Sequence, residues 1–163
     1  MVLLPFENSI FSLYFILNFL VMGLTTVPKF SKSHVPAIGN DIDILFFIKN
    51  EEVDLQYLHH LKEISSFSDE VIADWLGISV KTLRNYRKAE SELKESLKEH
   101  LVLLLSLYQH GTVVFGSAGN FDKWLESENY FFDNQSPKGF LSTSSGIRYA
   151  DDRLTAMEYG DNV

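Results

Sequence analysis

The chain contains no cysteine. That excludes a disulfide framework and any zinc site built on thiolates, and it fits a reducing compartment. Positive charge is scarce: 14 Lys and Arg stand against 22 Asp and Glu, a net charge of −8. Nonspecific coating of nucleic acid needs the opposite balance, so any DNA contact has to come from a local patch. The sequence has no HExxH spacing, no phosphate-binding glycine loop and no nucleophile–base pair, so no catalytic, cofactor-binding or metal-ligating residues are assigned. It also lacks an apolar run of bilayer length. Ile10 to Leu24 is about 15 residues, where a spanning helix needs about 20. A basic n-region is missing too, since Glu7 is the sole charged side chain ahead of that run.

What is present suits one or two small domains: 163 residues, of which 45% are hydrophobic, enough for a real core. The apolar N-terminal run has three competing readings. It is a membrane anchor, a helix buried against a partner, or an extension upstream of the natural start, with Met22 as an alternative start. An extension or poorly structured arm over residues 1–40 is the expectation, with Pro28 to Asn40 as a linker.

The clearest local signal is Asp69 to Lys88, DEVIADWLGISVKTLRNYRK. It predicts two short helices joined by a tight turn at Gly77. Ser79 caps the second helix, and Val80, Leu83 and Tyr86 form its inward stripe. Small Ala73 lets the helices approach. Ala73, Gly77 and Leu83 have the spacing of a helix-turn-helix unit. Between Ser79 and Glu90 four basic residues face one acidic residue, a basic island in an acidic chain. Lys81, Arg84, Arg87 and Lys88 are then phosphate anchors, and Thr82 and Asn85 are candidates for base edges. The bland alternative is a helical hairpin that only packs.

The remainder also reads as helical. Asp41 to Asn50 is a dense apolar patch assigned to helix, with Asn50 suited to a left-handed helix end. Val53 to Ile64 carries Leu55, Leu58 and Leu61 on one face. The adjacent His59 and His60 cannot share a helical face as a metal pair. Glu90 to His110 is a long helix whose later half, from Leu101, is apolar nearly all round and is expected to be buried on more than one side. Gly111 is expected to close it, with Val113 to Gly116 as a separate short apolar element. Helices are expected over Asn120 to Glu126 and Ile147 to Tyr159. Between them lie an aromatic loop at Asn129 to Phe132 and a short helix opened by Pro137. The expected fold class is therefore all-α: residues 41–110 a helix-turn-helix and dimerisation domain, residues 111–163 a small helical C-terminal domain.

Three stretches together resemble a known family. They are VVFGSAGNFDKWLESENYFF, SPKGFLSTSSGI and a final helix ending in MEYG. The residues concerned are Phe115-Gly116, Phe121, Trp124-Leu125, Pro137, Leu141-Ser142-Thr143, Gly146-Ile147 and Glu158-Tyr159-Gly160. In this order they resemble the toxin-binding domain of the Xre/MbcA/ParS type II antitoxins. The helix reading IS-x-x-TLRNYRK is similar to that family's recognition helix, and the likeness covers roughly residues 51–163. Glu128-Asn129 departs from it, standing where the family often has Pro-Asn. The resemblance implies a cytoplasmic antitoxin that is not itself an enzyme and pairs with a RES-domain toxin that consumes NAD⁺. Its toxin-facing residues would be Trp124, Glu158, Tyr159, Gly160, Asp161, Asn162 and Val163, with the C-terminal region covering the toxin's cleft. It further implies repression of its own operon by a homodimer bound to operator DNA through Ser79, Lys81, Thr82, Arg84, Asn85, Arg87 and Lys88. The competing function is a stand-alone transcription regulator.

Overall fold

Among the described residues of the computed structural model (35–39, 41–86, 88 and 92–160), seven α-helices carry the fold and no strand forms beyond one isolated bridge. The all-α expectation therefore holds. These residues belong to one unit, Lys32–Val163. Residues 1–34, which include the apolar run and Met22, lie outside the described residues, as do Arg87 and residues 161–163.

The helices are α1 (Asp41–Asn50), α2 (Leu55–Ile64), α3 (Asp69–Trp75), α4 (Val80–Tyr86), α5 (Glu95–Phe115), α6 (Ala118–Glu126) and α7 (Ser144–Glu158). Two 3₁₀ turns, Tyr130–Phe132 and Pro137–Phe140, lie between α6 and α7. Helix α5 is the axis, and α1, α2, α6 and α7 all pack on it. From Leu101 to Tyr108 every residue is buried, as a helix apolar all round requires. Each buried leucine there contributes about 1.5–3 kcal/mol relative to exposure. Ser106, the polar exception in that stretch, donates to the Pro36 carbonyl at 2.7 Å and ties residues 35–39 to α5.

Several local expectations are corrected. Gly111 does not end the long helix; α5 runs on through Val113 to Phe115 and stops at Gly116, whose φ is +75°. Gly111 instead gives α6 room: a Cβ there would lie 2.4 Å from the Phe121 ring. The long helix also starts later than expected, at Glu95. The line drawn between residues 110 and 111 thus falls inside α5. Hydrogen bonds cross it as well: Trp75 Nε1 donates to the Lys138 carbonyl at 2.8 Å, and the Ser66 amide donates to Asp122 at 2.8 Å. Asn50 does not take the left-handed conformation; Asp133 and Asn134 are the described non-glycine residues that do.

The starts of α2, α6 and α7 are set by caps, which put α2 two residues later than expected and α6 and α7 two and three residues earlier. Asp54 accepts from the Gln56 amide, Ser117 from Asn120 and Thr143 from Gly146. Pro137 does open a short helical turn. The aromatic loop closes on itself through the bridge between Asn129 and Gln135.

Candidate partner-binding surfaces

The α3–α4 hairpin forms as its sequence requires. Gly77 turns the chain at φ +62°, and the Ile78 amide donates back to the Ala73 carbonyl at 3.0 Å. The Ser79 hydroxyl accepts from the Thr82 amide at 3.0 Å and lies 2.8 Å from the Thr82 hydroxyl, so Ser79 caps α4. Leu83 and Tyr86 point inward against the buried Ile72, Ala73 and Trp75 side of the fold. Ser79, Lys81, Arg84, Asn85 and Lys88 are exposed and Thr82 is half-buried, so the hairpin offers a polar outer face.

That face is less positive than the residue count suggests. Arg84 Nε lies 3.7 Å from Asp69 and Nη2 lies 3.9 Å from Glu70, both in the first turn of α3. The Ser68 hydroxyl, with a backbone N–H, holds Glu70 below the usual carboxylate range, so it remains ionised beside Arg84. The two pairs are exposed and weak, yet a phosphate approaching Arg84 has to compete with two carboxylates.

At the other end of the sequence, α6 and the first 3₁₀ turn build an aromatic cluster. Phe121 stacks on Trp124 at 5.7 Å between centroids and on Phe115 at 6.1 Å, while Phe132 meets Trp124 edge-on at 6.0 Å. Trp124 is half-buried and its ring is engaged on these neighbours, which gives it a structural job whatever it meets outside. Nearby, the Arg153 guanidinium sits 3.6 Å above the Phe131 ring and the Tyr149 hydroxyl donates to the Phe131 carbonyl at 2.7 Å.

The last turn of α7 holds the remaining described candidates. Tyr159 is 87% exposed and follows the helix as its C-cap. Gly160 turns the chain out of the helix at φ +81°. Glu158 is not a loose tail charge: its Oε2 lies 3.3 Å from His110 Nε2. The other nitrogen, Nδ1, lies 2.6 Å from Oδ1 of the buried Asp151. Burial pushes the Asp151 carboxyl above its ordinary value, and the bond and charge of His110 pull it back. His110 and Asp151 also line a largely apolar cavity of about 670 Å³ with Val35, Ile38, His60 and Ile64. Among the described residues no group of three His, Cys, Asp or Glu is arranged to hold a metal.

The sequence reading missed His110 and Asp151. They are 41 positions apart, and neither belongs to a motif. The available signal was weak: Asp151 and Glu158 are seven residues apart, two turns along one helical face.

No curated protein matches the chain. Residues 110–160, from His110 to Gly160, match the family model of the antitoxin Xre/MbcA/ParS C-terminal toxin-binding domain, which supports reading this segment as the toxin-binding part of an antitoxin.

Proposed function

We propose that the protein is the antitoxin of a type II toxin–antitoxin pair, and that its partner is a RES-domain toxin that consumes NAD⁺. The observation that carries this is the match of residues 110–160 to an antitoxin toxin-binding domain, in a segment whose last turn presents the exposed Tyr159. Inhibition is steric and electrostatic. Tyr159 and Gly160, continuing into Asp161, Asn162 and Val163, enter the toxin's cleft, and this chain performs no chemistry. A cleft that binds a dinucleotide diphosphate is basic, and the tail brings the Asp161 side chain. Glu158 is engaged within the chain, its Oε2 3.3 Å from His110 Nε2.

The α3–α4 hairpin, in this reading, binds operator DNA as part of a homodimer in the cytoplasm, with α4 in the major groove. The exposed row Ser79, Lys81, Arg84, Asn85 and Lys88 supports it. No single described helix is long and apolar enough to cross a membrane.

Co-expression of the chain with the adjacent gene product, scoring growth and cellular NAD⁺, tests the proposal. Loss of NAD⁺ with the neighbour alone and recovery with this chain are expected. A harmless neighbour, or two proteins that never associate, would overturn it and favour a stand-alone transcription regulator.

A further inference from the structure

The His110 imidazole is in contact through both of its nitrogens, and both contacts are carboxylates: Asp151 at 2.6 Å and Glu158 at 3.3 Å. A neutral imidazole has one N–H and one lone pair. With a neutral ring, one of the two carboxylates would face a lone pair. Two charge-assisted bonds need a proton on each nitrogen, that is, the imidazolium.

The two carboxylates are not equivalent. Asp151 is buried in the middle of α7 and sits at the shorter distance, whereas the Glu158 side chain is 40% exposed in the last helical turn. When the ring carries a single proton, the buried Asp151 keeps it, because an uncompensated buried carboxylate is costly and an exposed one returns to water cheaply. Glu158 is then the contact that is lost. Nothing further along α7 replaces it: the end of the helix is held by the Tyr159 amide on the Thr155 carbonyl at 3.2 Å and the Gly160 amide on the Met157 carbonyl at 3.1 Å.

We infer that His110 is a proton-dependent clamp on the C-terminal turn of α7: as an imidazolium it bridges Asp151 and Glu158 and fixes the direction in which Tyr159 and Gly160 leave the helix, and on losing a proton it releases Glu158. His110 is therefore a positioning residue for the tail. That role rests on the toxin-binding reading of this segment, whereas the clamp itself does not.

The charged surroundings are few. From α7, His110 faces Asp151 and Glu158, and Asp152 adds to the negative field at Asp151. From α2, His60 lines the same cavity; burial lowers its pKa and the Glu63 charge opposes that shift. The segment from Val35 to Gly39 contributes no ionisable side chain to that cavity. The bridging cation thus sits in a field that is negative on the α7 side.

The test is amide hydrogen exchange of the full chain between about pH 5 and about pH 8, where imidazole changes charge. Rates are corrected for intrinsic base catalysis, and the Tyr159 and Gly160 amides are the reporters. Their protection is expected to fall roughly two- to fivefold as pH rises, the size of a partly exposed ion pair. In Glu158→Gln and in His110→Gln that pH dependence disappears, while protection of the α5 core amides stays as in the wild type. A pH-independent wild-type profile, or the same profile in Glu158→Gln, overturns the clamp. In parallel, the wild-type chain is expected to bind the purified toxin about two- to fivefold more weakly at the upper pH, and His110→Gln to bind equally at both. Equal wild-type binding at both pH values overturns the positioning role. Failure to bind toxin at any pH overturns the antitoxin reading and with it the positioning role, and the exchange data alone then decide the clamp.

Discussion

The Tyr108 hydroxyl donates to Oδ1 of Asp122 at 2.8 Å inside the core, and Oδ2 of the same carboxylate accepts the Ser66 amide at 2.8 Å. One buried side chain thus joins α5, α6 and the α2–α3 connection. Burial, then the neighbouring Asp122 charge, pushes the Tyr108 hydroxyl far above the ordinary phenol value, so it remains a donor at every accessible pH. Replacing Asp122 with Ala removes the carboxylate acceptor from the buried Tyr108 hydroxyl and from the Ser66 N–H. A loss of about 2–4 kcal/mol is expected in urea unfolding. Tyr108→Phe removes one bond and leaves the Ser66 contact in place, so it is expected to cost less, about 1–3 kcal/mol. An equal or smaller loss for Asp122→Ala than for Tyr108→Phe would contradict the bridging role.

Gly111 is a packing residue. An Ala Cβ would come within 2.4–2.6 Å of three Phe121 ring carbons. The ring has little freedom to yield, because Tyr108 meets it edge-on at 5.1 Å and Trp124 stacks on it at 5.7 Å. Gly→Ala in a helix interior ordinarily stabilises by up to about 1 kcal/mol. Here the overlap is expected to win, for a net loss of about 1–3 kcal/mol and a lower melting temperature. A rise in melting temperature for Gly111→Ala would show that α6 shifts to accept the methyl group.

Asp133 and Asn134 both adopt left-handed backbone, at φ 55° and 57°. They lie in the turn closed by the Asn134 amide on the Asn129 carbonyl at 3.0 Å. Asn and Asp tolerate this region better than other side chains, and glycine better still. Asn134→Gly is expected to be neutral or stabilising by up to about 1 kcal/mol, and Asn134→Val destabilising by more than about 1 kcal/mol. Thermal unfolding of the two variants ranks them. A clear loss of stability in Asn134→Gly relative to the wild type would mean that the asparagine side chain holds the turn.

On the α3–α4 hairpin, Arg84 is shared with Asp69 and Glu70, which predicts an effect of unusual sign. If α4 contacts operator phosphates, Glu70→Gln should tighten binding by releasing Arg84 and removing a negative charge. Lys81→Ala should weaken it at all sequences and lower the salt slope by about one. Binding measured across a salt series checks both. Unchanged binding by Glu70→Gln together with an unchanged slope for Lys81→Ala would place the DNA away from the exposed face of α4.

Much of the helix inventory was readable because it rests on local chemistry. Gly77 and Ser79 define the α3–α4 turn through backbone freedom and a cap, and Pro137 opens its turn through a fixed φ. The burial of Leu101 to Tyr108 follows from a helix with no polar face. The misplaced boundary at Gly111 has an equally physical origin. A glycine late in a helix signals either a stop or a close approach, and only the position of Phe121 on α6 distinguishes the two. Once Gly111 is a contact, Val113 to Phe115 have no reason to leave the helix, and Gly116 becomes the stop.

The candidate surfaces divide along the same line. Lys81, Arg84 and Asn85 share an exposed face because helical period puts them there, Ser79 and Lys88 are exposed on either side of the helix, and the exposure of Tyr159 follows from its place beyond the last turn. Trp124 was expected at the partner surface, but its neighbours Phe115, Phe121 and Phe132 come from three different elements. The pairing of Arg84 with the start of α3, and of His110 with both Asp151 and Glu158, likewise joins residues on separate helices. Charge and hydropathy along the chain determined which segments are helices and which faces they bury. Which ionic groups neutralise one another was decided only by the packing of α7 on α5 and of α4 against α3, because Coulomb and hydrogen-bond terms act over a few ångströms, a distance that sequence separation does not encode.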